Sequence, residues 1–323
     1  MRRREVIGLI GNAAAWPFAA SAQSKRLPKV GIIGSINARS VLLAFVDGMR
    51  DLGLIDGQTI TIKHDGNIDI FSTDQLAHAA AELVADKVDV IFAPGSQATA
   101  AAKSVTSAIP IITINGDPVG LGFAKSLARP GGNITGLSNL GTDISGKRLE
   151  LLKKVLPRLE RVALFFNPRD PGSKLSLAEN EAATANLALK LQTIAITDED
   201  EIAEAFATAD HGHAQAITVT TNPLLDIKGQ LIVNLALKGK LPLIGFTDSF
   251  PKRGALLGYG PSIPAIYRRA AYYAQRILAG DNPAELPIEQ PTKFNLVINL
   301  KTASALGLTI SDDLLVQADE LIE

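Results

Sequence analysis

Cysteine is missing from all 323 residues, which excludes disulfides, thiolate zinc sites, iron–sulfur clusters and thiol catalysis. Histidine is scarce, with only His64, His78, His211 and His213 available for imidazole chemistry. Tryptophan is reduced to Trp16, close to the N-terminus. No sign of charge dominates: 32 Lys+Arg face 33 Asp+Glu, and no basic run follows Arg4. Nucleic acid and anionic membranes therefore find little electrostatic attraction. What is present is a chain that is 46% apolar and 20% charged, the composition of an ordinary globular protein with material for sizeable cores.

The first residues read as a leader. Arg2-Arg3-Arg4 precedes an apolar stretch that runs to Ala20 and ends in Ala20-Ser21-Ala22 before Gln23, the pattern of a cleaved signal peptide over residues 1–22. Asn12 and Pro17 interrupt the stretch, and it is too short for a hydrocarbon core that needs ~20 residues. The paired arginines fit a twin-arginine signal, and a general secretory signal accounts for the same charges. Either route predicts a periplasmic protein, and with no Cys after the cleavage site it is not lipid-anchored. The remaining 301 residues correspond to about two domains of ~150 residues each.

From Lys29 onward, short β-branched runs alternate with stretches of helical spacing. Strands are expected at Val30–Gly34, Thr59–Lys63, Val88–Ala93 and Ile109–Ile114, with helices between them and a further helix over Val119–Ala128. Continuous apolar strands separated by helices imply a parallel sheet covered on both faces. Arg129-Pro130-Gly131-Gly132-Asn133 breaks the series, and Ile134–Ser138 reads as a strand leaving the first lobe. A second series follows: helix Ile144–Leu156, strand Arg161–Phe166, helix Lys174–Lys190, strand Leu191–Ile196, strand Ala214–Val219, helix Leu224–Lys238, strand Leu241–Phe246 and strand Ala255–Tyr259. Helix Ile263–Ala279, strand Lys293–Asn299 and helical segments Lys301–Leu306 and Asp312–Ile322 close the chain. The expected fold is α/β, two doubly wound parallel-sheet lobes joined by a hinge. Residues 28–138 with 260–294 form lobe 1, and 139–259 with 295–323 form lobe 2.

Ligands of open α/β sheets bind beyond the carboxyl ends of the strands, so the loops there supply the candidates: Ser35, Ser96, Gln97, Asp117, Asn167, Asn222 and Asp248. Gly95-Ser96-Gln97 opens a helix whose unpaired N–H groups suit a carboxylate, and Ser96 serves equally as a plain N-cap. Asp117, between Gly116 and Pro118, is placed to receive an ammonium or hydroxyl, or else to cap the next segment. Asp248 is its counterpart in the other half. Asn167-Pro168 and Asn222-Pro223 read as ligand contacts or as strand-to-helix turns. No catalytic set, metal site or cofactor is expected. The four histidines fall away from these loops, and Gly31-Ile32-Ile33-Gly34 lacks the spacing of a dinucleotide fingerprint.

Several longer stretches carry a family resemblance: Gly48-Met49-Arg50-Asp51-Leu52-Gly53, Gly116-Asp117-Pro118-Val119-Gly120, Ala128-Arg129-Pro130-Gly131-Gly132-Asn133-Ile134-Thr135-Gly136, Ser145-Gly146-Lys147-Arg148-Leu149-Glu150 and Tyr259-Gly260-Pro261. On these the mature chain resembles the ABC-transporter substrate-binding family that includes tryptophan- and tyrosine-type binding proteins with a type I periplasmic-binding fold. The resemblance implies a non-enzymatic protein that captures a small solute between its lobes and delivers it to an inner-membrane ABC permease. It places ligand contacts on Ser35, Ser96, Asp117, Asn222 and Asp248. After the second strand the chain departs from the family, with Lys63-His64-Asp65-Gly66-Asn67 where aromatic and acidic residues are common. An amino acid or another carboxylate, aromatic or not, is the expected solute, and a monomer the expected state. A sensory protein that reports to a membrane receptor is the alternative, and chromosomal neighbours would separate the two.

Overall fold

The computed structural model describes residues 26–34, 39–64, 72–140 and 144–323. The proposed leader and Ser35 lie outside the described residues. The first βα series is β1 (Lys29–Ile32), α1 (Arg39–Asp51), β2 (Thr61–His64), α2 (Thr73–Ala85), β3 (Val90–Pro94), α3 (Ser96–Val105), β4 (Ile111–Asn115) and β5 (Ile134–Ser138). The second begins with α4 (Ser145–Val155), β6 (Arg161–Phe166), α5 (Pro171–Asn186), β7 (Lys190–Ala195) and α6 (Glu201–His211). It continues through β8 (Ala216–Val219), α7 (Pro223–Ile227), α8 (Gly229–Lys238), β9 (Leu243–Gly245), α9 (Ser249–Lys252) and β10 (Leu257–Gly260). Then come α10 (Ile263–Leu278), β11 (Asn295–Asn299), α11 (Leu300–Ala305), α12 (Asp312–Gln317) and β12 (Glu320–Ile322).

The first sheet has the order β2-β1-β3-β4-β5 and is parallel throughout. Its inner strands β3 and β4 are buried on both faces because both are covered by helices, while the edge strand β2 is half-buried. On one face Phe45 of α1 stacks on Phe92 of β3 with ring centroids 4.0 Å apart, and Ala270, Tyr273 and Ile277 of α10 complete the cluster. On the other, Leu76 and Leu83 of α2 and Ala98 and Ala102 of α3 pack on Ile91 and Ile111. A fully buried ring such as Phe92 contributes about 1.5–3 kcal/mol. The second sheet runs β12-β11-β10-β9-β8-β6-β7 and is parallel except at β10–β11.

Four segments differ from the sequence expectation. The helix expected over Val119–Ala128 is a series of turns: Gly122 sits at φ +68°, and Leu121 and Phe123 N–H donate to the Asp117 and Pro118 carbonyls. Gly120-Leu121-Gly122 lacks the propensity to continue a helix. α5 starts at Pro171, not Lys174, because Asp170 caps it and proline is favourable at the first position. The expected Leu224–Lys238 helix is two helices, interrupted at Lys228; Gly229 follows, where any Cβ would collide with the Arg253 guanidinium. The tail does not stay helical to Ile322. Ala318 is extended, Asp319 exchanges hydrogen bonds with Leu296, and β12 pairs in parallel with β11.

The chain passes from the first sheet to the second after β5, returns with α10, which packs on the first sheet, and rejoins the second sheet at β11. Glu289 ties these crossings on the lobe 1 side. Its backbone bonds Gly136 and Ser138 of β5, and its carboxylate takes both a 2.8 Å and a 2.7 Å bond from Arg269 of α10. On the lobe 2 side the buried Arg148 of α4 donates to the Tyr259 carbonyl at 2.9 Å and to the Phe246 carbonyl. Burial lowers its guanidinium pKa to about 9, so it remains charged at neutral pH.

Candidate functional site

The carboxyl ends of the two sheets face each other across a cavity. It offers about 150 Å³ to the centres of water molecules, roughly ten times what one water requires. Lobe 1 builds a largely apolar wall. Ile32 ends β1 there and Ile114 and Asn115 end β4, Val41 and Leu42 come from the start of α1, Leu76 from α2, and Ile263 and Tyr267 from α10. Tyr267 is fixed edge-on against Phe92, 5.5 Å between centroids at 89°. Lobe 2 supplies Asp170, Ser176, Thr221, Asn222 and Asp226, and hence both carboxylates of the cavity.

Asp170 is the centre of the polar side. As N-cap of α5 it accepts from the Gly172 N–H at 3.2 Å, and it takes 2.8 Å from the Asn222 amide. The Ser96 hydroxyl donates to it from the other lobe, and the Gly172 N–H reaches Ser96 Oγ at 3.3 Å. Two helices, α3 and α5, thus aim their N-termini at one anion, which the positive ends of both dipoles favour. Burial pushes the Asp170 carboxyl up, against hydrogen bonds from Ser96 and Asn222 that pull it down. Among the described residues no cation forms a salt bridge with it. Asp226 differs: Arg253 lies 3.3 Å from its Oδ1 and also donates to its carbonyl at 2.6 Å. Its carboxyl is likewise raised by burial, opposed by Arg253. Thr221 Oγ1 is buried without a hydrogen-bond partner among the described residues, although its residue lines the cavity.

The sequence candidates separate by place. Gln97 and Asn222 line the cavity; Asn222 also caps α7 through the Leu224 N–H at 2.9 Å, and Gln97 reaches the Arg169 carbonyl at 3.4 Å. Ser96 stands just behind the wall, on Asp170. Asp117 holds its own turn, accepting from Val119 at 3.1 Å and Gly120 at 2.8 Å, next to the lining residue Gly116. Asn167 is buried in a local turn, accepting from Arg169 N–H at 2.9 Å. Asp248 pairs with Lys252 at 2.9 Å. These three are not part of the cavity wall. Asp170 and Thr221 lie in the loops that supply the sequence candidates but are not among those candidates, and Asp226 and Tyr267 lie on helices beyond the reach of that reading. The signal for Asp170 was nevertheless present, since Asp-Pro-Gly marks an N-cap with proline at the first helical position.

With this geometry in place, the chain can be set beside known proteins. Residues 29–322 match the family model described as ABC transporter substrate binding protein. The chain belongs to that family. A tyrosine-binding protein of Clostridioides difficile is 27% identical over 290 residues, 88% of this chain and 82% of its own. Among solved structures, a substrate-binding domain from Streptococcus pneumoniae in complex with L-Trp superposes with a TM-score of 0.82 at 23% identity, covering 92% of this chain and all of the other. A ligand-free, open substrate-binding protein from Clostridium difficile superposes at 0.64, also at 23% identity, covering 92% and 99%. These likenesses confirm the type I periplasmic-binding fold, an α/β protein of two parallel-sheet lobes. In this substrate-binding protein the cavity lies where the sheets of both lobes end.

Proposed function

We propose that this protein captures an amino acid with an apolar, ring-bearing side chain and hands it to an inner-membrane ABC permease. The observation that carries the reading is the Asp170 carboxylate, buried at the cavity with only neutral donors bonded to it. A buried charge without a counter-charge is costly, and a ligand ammonium beside it removes that cost. The free N–H groups that open α3 suit the ligand carboxylate, and Ile32, Leu42, Leu76 and Ile114 suit its side chain. The tyrosine-binding relative and the L-Trp complex support the same class. Closure is then a population shift set by the ligand's extra contacts with the second lobe. Under this reading the protein is no enzyme, works as a monomer in the periplasm after loss of residues 1–22, and has its lobes divided at 138/139, 259/260 and 294/295.

The test is calorimetry and thermal unfolding of the mature, ligand-stripped chain against amino acids, aromatic acids, sugars and purines. A ligand at 100 times its dissociation constant should add ~2.7 kcal/mol of stability. Since residues 23–323 contain no tryptophan, an indole ligand is also visible by its own fluorescence. Stabilisation by sugars or purines and not by amino acids overturns the ligand class. Failure to stimulate ATP hydrolysis by its co-encoded permease, reconstituted with ligand, overturns the transport role.

A further inference from the structure

We infer that Asp226 and Tyr267 form a second polar subsite, one that reads a neutral hydrogen-bond donor at the far end of the ligand's side chain. The inference rests on the amino-acid reading above and adds the group by which one ring is told from another. The two residues come from opposite lobes and line the same cavity, Asp226 from α7 and Tyr267 from α10. Burial pushes the Tyr267 hydroxyl up in pKa and the Asp226 charge adds to that shift, so the hydroxyl stays protonated and senses the carboxylate. Among the described residues no hydrogen bond joins them, and no protein group satisfies the Tyr267 hydroxyl. A buried-side hydroxyl facing a carboxylate without a bond between them leaves room for a third group that bonds to both.

Position and charge fix what that group is. Asp226 lies four residues beyond Asn222, which holds Asp170, and four residues of helix advance about 6 Å, comparable to the reach of an aromatic side chain. Two carboxylates thus line the cavity together with apolar residues such as Leu42, Leu76 and Ile263. They are not equivalent. Asp170 has only neutral donors, so it calls for a cation, whereas Asp226 is already neutralised by Arg253. A second ammonium at Asp226 would compete with Arg253; an uncharged donor such as a phenol hydroxyl can accept from Tyr267 and donate to the remaining lone pairs of Asp226. The Tyr267 ring cannot swing away, because it is held edge-on by Phe92, itself stacked on Phe45. Gly229 belongs to the same arrangement, since a Cβ there would displace the Arg253 guanidinium.

The experiment is calorimetry of tyrosine, 4-aminophenylalanine, phenylalanine and lysine on the wild type, Tyr267→Phe and Asp226→Asn. Wild type should bind tyrosine and 4-aminophenylalanine about tenfold or more tightly than phenylalanine, and lysine weakly. Each variant should bring the tyrosine-to-phenylalanine ratio toward one while phenylalanine affinity stays within about threefold. Tyr267→Phe removes one atom and keeps the ring, so it remains informative if Asp226→Asn unsettles Arg253. Equal wild-type affinities for tyrosine and phenylalanine, equal losses of both in Tyr267→Phe, or a preference for lysine each overturn this inference and leave the amino-acid reading standing. Binding of none of the four overturns both.

Discussion

The two walls of the cavity are built on opposite principles. Lobe 1 presents the ends of a parallel sheet and the starts of α1 and α10, largely apolar but with Gln97, Asn115 and the Tyr267 hydroxyl among them. Lobe 2 presents helix caps: Asp170 on α5, Asn222 on α7, and Asp226 one turn further. The first wall attracts by removing apolar area from water, which is strong but weakly selective. The second attracts by charge and hydrogen bonds, which orient a ligand and reject those lacking the partner group. Both walls line the one cavity. The bond from Ser96 to Asp170 is where lobe 1 reaches into the polar system of lobe 2.

This division can be broken from either side. The largest effect is expected from Asp170→Asn, which keeps the shape and removes the charge: an ammonium-bearing ligand should lose about 1.5–3 kcal/mol, roughly 10- to 150-fold. The same carboxylate gives a pH signature. Its folded-state pKa is raised above 3.8, so the folded protein holds that proton more tightly than the unfolded chain does. Its contribution to stability is therefore greatest at low pH and declines as pH rises from 3.8 through the raised value. Ligand affinity follows the opposite course, falling on acidification through that value as the carboxylate is neutralised. Calorimetry across pH on wild type and Asp170→Asn should show the acid loss only in the wild type.

On the apolar side, Leu42→Ala should weaken ring-bearing ligands by about 1–2 kcal/mol through lost buried methylenes. It should leave the pH signature untouched, and a changed pH profile would show that the walls are not independent. Smaller still, Ser96→Ala should cost about 0.5–1.5 kcal/mol of affinity by loosening the grip of lobe 1 on Asp170. Small-angle scattering should then find a more open ligand-free chain. The smallest effect is expected from Thr221→Val: near-neutral in the melting temperature of the free protein, because its buried hydroxyl has no partner among the described residues, yet measurable in affinity if the ligand satisfies it. An equal change in both would mean that the hydroxyl serves the fold alone.

Much of the fold was legible along the chain. Short apolar, β-branched runs such as Val90–Ala93 and Ile111–Ile114 read as strands buried on both sides, and Arg161–Phe166 and Ile134–Ser138 fall where their apolar patterns place them. Three of the four misreadings share a cause, since helix periodicity persists where the helix ends. Gly120-Leu121-Gly122 stops one, a break at Lys228 divides another, and at the tail a partner strand, β11, draws Glu320–Ile322 into extended form. No local signal announces that last pairing.

The site was legible only in outline. Looking just past each strand brought Gln97 and Asn222 into view, yet the same rule drew equal attention to Asp117, Asn167 and Asp248, whose side chains serve their own turns or a neighbouring lysine. Local sequence therefore determined the elements, their alternation, the absence of thiol chemistry and the family, because strand burial, caps and motifs depend on near neighbours. Which carboxylate faces a cavity, and whether a cation accompanies it, was decided by the tertiary structure. Asp170 acquires Ser96 from 74 residues away and Asn222 from 52, while Asp226 acquires Arg253 from 27. Charge compensation in a buried site depends on distances of a few ångström in space, and sequence spacing does not encode them.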